Sequence, residues 1–68
     1  MNPIIGTIWR FKGLDETTKA EADANRFVVV GRDGDWVDYM LLGSHDQPTR
    51  RKVRDFHKNF ERVTPPIE

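Results

Sequence analysis

The stretch "RFVVVGRDGDWVDYMLLG", Arg26 to Gly43, decides how this chain folds. Two runs rich in β-branched and aromatic residues flank Asp33-Gly34, a pair suited to positive φ at both centres of a type I′ turn, so the stretch predicts a β-hairpin. A two-residue turn at that pair sets Arg32 against Asp35, Gly31 against Trp36, Val30 against Val37, Val29 against Asp38, Val28 against Tyr39 and Phe27 against Met40. One face then carries Val28, Val30, Val37, Tyr39 and Leu41 and is the predicted core side. The other carries Phe27, Val29, Trp36, Asp38 and Met40, apolar but interrupted by a charge. Two partly apolar faces predict a strongly curved sheet that packs on itself, or an outer face that something else covers.

Upstream, "GTIWRFKG", Gly6 to Gly13, alternates: Thr7, Trp9 and Phe11 share one face of a strand and Ile8, Arg10 and Lys12 the other. This predicts a half-buried first strand with Trp9 and Phe11 inward, ended by Gly13. The polar segment "LDETTKAEADAN" over 14–25 is longer than an ordinary hairpin loop. Thr18 with Glu21 fits a capping box, and Ala20, Ala22 and Ala24 favour helix. Leu14 is its only large apolar anchor, however, and short isolated helices are marginal in water. The expectation is a mobile acidic excursion with room for one helical turn.

Downstream, "GSHDQPT" breaks the pattern with Gly43 and Pro48. "TRRKVRDFHKNFERV", Thr49 to Val63, then packs six cationic side chains, a histidine and four apolar residues into fifteen positions. Val53, Phe56, Phe60 and Val63 recur at helical spacing, with Arg51, Arg54, Lys58 and Arg62 on the opposite side. The same residues also divide into a short strand around Arg51 to Val53, a helical turn over Asp55 to Asn59 and a closing strand through Glu61 to Val63. The second division is preferred, because a small curved sheet needs a further strand to hide its edges. Thr64, Pro65 and Pro66 end ordered structure and leave 64–68 as a flexible tail.

At 68 residues the chain is expected to be one domain, near the lower limit for a single core without staples. Cysteine is absent, which removes any disulfide framework, thiolate nucleophile or Cys-based zinc site. No basic segment leads a long apolar run, and no window approaches the roughly 20 apolar residues of a membrane span, so the expectation is a soluble, cytoplasmic protein with no membrane partner. Formal charge sums to zero but is unevenly placed. Between Gly13 and Asp38, the acids Asp15, Glu16, Glu21, Asp23, Asp33, Asp35 and Asp38 face only Lys19, Arg26 and Arg32. Between His45 and Val63 the balance reverses, which makes the molecule a dipole able to orient a partner.

The aromatic-bearing "IWRFKG" at Ile8 to Gly13, the hairpin "VVVGRDGDWVDYMLL" at Val28 to Leu42 and the ending "FHKNFERV" at Phe56 to Val63 together resemble the small SH3-like barrels common among phage and prophage proteins of unknown function. The resemblance covers most of the chain and departs from it in the acidic excursion between Gly13 and Arg26. It implies a mainly β fold, a partly open barrel of four to five antiparallel strands with a short helical turn near the C-terminus. It also implies a viral or mobile-element origin and hence a host cytoplasm. It transfers no functional residues.

Chemistry finds little purchase. Ser44 is the only serine and lies in no nucleophile motif with His45 or His57. Asp33, Asp35 and Asp38 fail a calcium loop, since Val37 stands at its fifth position, Asp38 at its glycine and Ser44 at its terminal glutamate. Gly31 and Gly34 precede no lysine-serine pair, and His45, Asp46 and His57 match no metal-ligand spacing. The expectation is a non-enzymatic module without cofactor or metal. Its leading role is binding or inhibiting a host or phage protein through Phe27, Trp36 and Met40 on the outer hairpin face, a homodimer through that face included. The alternative is binding of DNA or RNA, with Arg10, Lys12, Arg50, Arg51, Lys52, Arg54 and Lys58 on phosphates and Trp36 or Phe27 as stacking platforms. Against both stand plainer accounts, in which Trp36 covers Gly31 and the cations form a solvated face.

Overall fold

The computed structural model describes residues 3–63. Its elements run β1 (Ile8–Phe11), α1 (Lys19–Asp23), β2 (Phe27–Asp33), β3 (Trp36–Leu41), β4 (Thr49–Lys52), α2 (Val53–Asn59) and β5 (Phe60–Arg62). All five strands form one antiparallel sheet in the order β4-β3-β2-β1-β5, so the chain returns through α2 to pair its last strand with its first. The sheet curls into a half-barrel whose end strands, β4 and β5, do not pair with each other. This is the mainly β, partly open barrel that the sequence predicts, and the strand-helix-strand division of the basic stretch is the correct one. The tail expected at 64–68 lies outside the described residues.

The core is largely aromatic. Trp9, Val29, Val37, Tyr39, Phe56 and Phe60 are buried, with Phe11, Phe27 and Val53 packed against them. Phe56 and Phe60, a helical turn apart, stack with centroids 4.7 Å apart and rings 10° from parallel. Trp9 meets Phe56 edge-on at 5.0 Å, and Tyr39 meets Phe60 at 5.2 Å. Offset and edge-to-face rings each add to the area they remove from water. The short helix thus plugs the barrel's interior with Phe56 and turns Arg54, Asp55 and Lys58 outward.

The hairpin register differs from the predicted one in two ways. Asp33 pairs with Trp36, so the two-residue turn is Gly34-Asp35 and not Asp33-Gly34. Gly34 has φ +59° and among the described residues no non-glycine has positive φ, the pattern of a II′ turn with glycine first. Further along, Gly31 pairs with Asp38 and Val29 with Tyr39, so Val30 is an extra residue at a β-bulge. A one-residue slip exchanges the faces of a strand. Phe27 and Val29 therefore face the core, while Val30 is exposed and Val28 lies opposite Met40. Val37 and Tyr39 keep their predicted place in the core.

At the start of β1, Gly6 (φ +93°) donates to the Val29 carbonyl at 2.8 Å while Val29 donates to Thr7 at 3.1 Å. Two residues thus answer one, a bulge built on a glycine with positive φ, and it bends β1 into the curl. The acidic excursion is tied down. Thr18 caps α1 by accepting from Glu21 N–H at 3.1 Å, and the Glu21 carboxylate accepts from Thr17 and Thr18. Buried Asn25 bonds both the N–H and the carbonyl of Phe11 at 3.1 Å, which fastens the end of the excursion to β1.

Candidate binding face

Side chains alternate along a strand and cross-strand partners share a face, so buried Val37 and Tyr39 turn Trp36, Asp38 and Met40 outward. The pairings extend this outer face. Ile8, Val28 and Met40 line up across β1, β2 and β3 as a half-buried apolar row, and Lys52 and Arg50 flank Trp36 and Asp38 from β4. Trp36 is 39 % exposed, and Lys52 Nζ sits 5.6 Å from its ring centroid. Beside it, a surface cleft of about 420 Å³ lies between Asp35, Lys52, Val53 and Arg54. Val53 N–H closes the back of that cleft by donating to the Asp35 carbonyl at 2.7 Å.

Of the predicted apolar patch, Trp36 and Met40 lie on this face, with Asp38 between them along β3. Phe27 does not join them, because the bulge turns it inward onto Tyr39 at 5.9 Å and Phe60 at 5.3 Å. Ile8, Val28 and exposed Val30 take its place on the outside. The missed signal was Gly31, a glycine inside a strand, which marks a bulge or a close approach. It marks both. A Cβ there would lie 3.0 Å from Asp38 Oδ2, so the carboxylate, not Trp36, covers Gly31.

The cations do not converge. Arg50 clamps Asp38 through Nε at 2.8 Å and Nη2 at 3.2 Å, with Asp33 at 3.8 Å, and these bonds hold the Asp38 carboxyl below its usual range. Arg51 faces inward and donates from Nε to the Tyr39 hydroxyl at 3.0 Å. Arg10 bonds Glu16 at 3.0 Å and Glu61 at 3.2 Å, and Lys12 reaches the His57 carbonyl at 3.3 Å. Arg54 and Lys58 are exposed on α2. The predicted phosphate surface is thus divided among the β1 segment, the two faces of β4 and the exposed side of α2.

Nothing catalytic assembles around the polar residues singled out earlier. Ser44 Oγ accepts from Asp46 N–H at 3.0 Å, a bond within its own loop. His57 packs edge-on against Trp9 at 5.5 Å, and burial, with help from Arg32 and Lys12, lowers its pKa. Among the described residues no three of His, Asp and Glu lie close enough to hold a metal ion, and no helix is long and apolar enough to cross a membrane. No protein-family model matches the chain, and neither does any curated protein or solved structure.

Proposed function

We propose that this chain is a non-enzymatic binding module that engages a partner protein through the outer face of its β1–β4 sheet. The observation that carries the reading is one outer face that presents exposed Trp36 and the apolar row of Met40, Val28 and Ile8, with the Arg50–Asp38 pair between them. Tryptophan, methionine and arginine on one exposed face are the residue types enriched in protein interfaces. The barrel supplies rigidity, since its inner face is packed with rings and the outer face loses little conformational entropy on docking. The scattering of the cations favours this over a phosphate surface, which needs them on one side.

The test is to recover partners from the host lysate on the immobilised protein and compare Met40→Glu with Lys58→Glu. The reading requires a species that binds the parent and the Lys58 variant but not the Met40 variant. Trp36→Ala is expected to weaken that complex by about 2 kcal/mol or more while lowering fold stability by less than about 1 kcal/mol. In parallel, the protein is titrated against labelled single-stranded DNA, duplex DNA and RNA at low and physiological salt. Saturable, steeply salt-dependent binding that is lost on reversing Lys52 and Arg54 together would replace the protein partner with a nucleic acid.

A further inference from the structure

β4 is an end strand of the sheet, and its outer edge pairs with nothing among the described residues. Natural sheets silence such an edge with bulges or with cationic side chains that stand over it. Here the register with β3 runs without a bulge through all four pairs, from Trp36 with Lys52 to Tyr39 with Thr49. The cations are present but folded away from the edge. Arg50 lies on the outer face against Asp38, Arg51 on the inner face against the Tyr39 hydroxyl, and Lys52 over the Trp36 ring. The backbone of Thr49–Lys52 is left open, and Arg51, Lys52 and Arg54 beside it have no carboxylate partner at ion-pair distance among the described residues, Asp35 being the acid that shares the cleft at its end.

We propose that β4 accepts an extended acidic segment of the partner protein as a sixth strand of the sheet. This rests on the protein-binding reading above and adds its mode. Main-chain hydrogen bonds to Thr49–Lys52 would supply the register, and successive side chains of the incoming strand would alternate between the two faces. On the outer face they meet Arg50 and Lys52, and on the inner face they meet Thr49 and Arg51. The end of the segment runs toward the cleft between Asp35, Lys52, Val53 and Arg54, where α2 begins and the edge stops. A carboxylate is the group that this set of cations selects, and a second copy of β4 is the group that it repels.

The test uses the whole chain and a short labelled peptide alternating valine and glutamate. It is compared with the glutamine version and with two versions N-methylated at alternate backbone amides, one for each phase. An added strand turns only one set of its N–H groups toward β4. The expected result is saturable binding that falls by about tenfold or more in one N-methylated phase and not the other. Substituting glutamine, or making Arg51→Ala, should also weaken it. Equal binding in both phases means charge attraction without strand addition and overturns the proposal, as does absence of binding by the parent peptide. Met40→Glu, which leaves the edge intact, separates the two readings. If the peptide binds this variant as it binds the parent, the edge acts independently of the outer apolar row. If the peptide fails while a lysate partner still depends on Met40, the face reading survives and the edge does not.

Discussion

Arg26 grips Glu16 with both terminal nitrogens, at 2.7 and 3.1 Å, and the same carboxylate takes Arg10 Nε at 3.0 Å and Asn25 Nδ2 at 2.8 Å. The Arg26 bonds first and the Arg10 bond next hold its pKa at about 2 against an ordinary 4.5. A carboxyl with a depressed folded pKa stabilises the fold above its unfolded pKa, and the contribution is lost as pH falls through the folded value. Glu16 therefore supports the fold at neutral pH and loses that role between about 4.5 and about 2. Urea midpoints of the parent and Glu16→Gln should differ at neutral pH and converge across that window. A gap that stays constant down to the acid end would assign the loss to packing and not to charge.

Asn25 is 2 % exposed and answers both backbone groups of Phe11 from fourteen residues away. Asn25→Ala leaves the Phe11 N–H and carbonyl without these partners, at about 1–3 kcal/mol for each group that stays buried. The expected signature is local as well as global: faster amide exchange at Phe11 together with a lower urea midpoint. A normal Phe11 amide in this variant would show that water replaces the side chain freely.

Phe56 is fully buried and touches Trp9, Tyr39 and Phe60. Phe56→Ala should cost about 3–5 kcal/mol. A domain this small holds roughly 5 kcal/mol, so the variant should be largely unfolded by circular dichroism at room temperature. Lys58→Ala, on the exposed side of the same helix, should stay within about 0.5 kcal/mol of the parent. Similar losses in both would mean that α2 is held by its own propensity and not by the ring cluster.

What the sequence discloses here follows from the range of the forces involved. The strands are legible because alternation and the glycine turn are local, and α2 with β5 because Phe56 and Phe60 must reach a curved interior. The capping of α1 is legible in the Thr18–Glu21 spacing. The fastening of the excursion is not. Glu16 is one acid among many, and its pairing with Arg10 and Arg26 depends on β1 and β2 lying side by side. The outer face is half legible: Trp36 and Met40 follow from β3, but Val28 replaces Phe27 because of one inserted residue. Its sign in the sequence was a glycine two places before the turn glycine's own neighbour, where side-chain period alone gives no warning.

That glycine offers the most discriminating double substitution. Gly31→Ala would place its methyl 3.0 Å from Asp38 Oδ2, so the carboxylate must give by a few tenths of an ångström against its bonds to Arg50 at 2.8 and 3.2 Å. Overpacking of this kind costs about 1–3 kcal/mol. Removing the obstacle by Asp38→Ala should cancel much of that loss, with a coupling of about 0.5–3 kcal/mol between the two positions. Urea denaturation of the parent, both single variants and the double variant measures the coupling. If Gly31→Ala costs the same with and without Asp38, the strain lies in the backbone of the bulge and the carboxylate lies over Gly31 without constraining it.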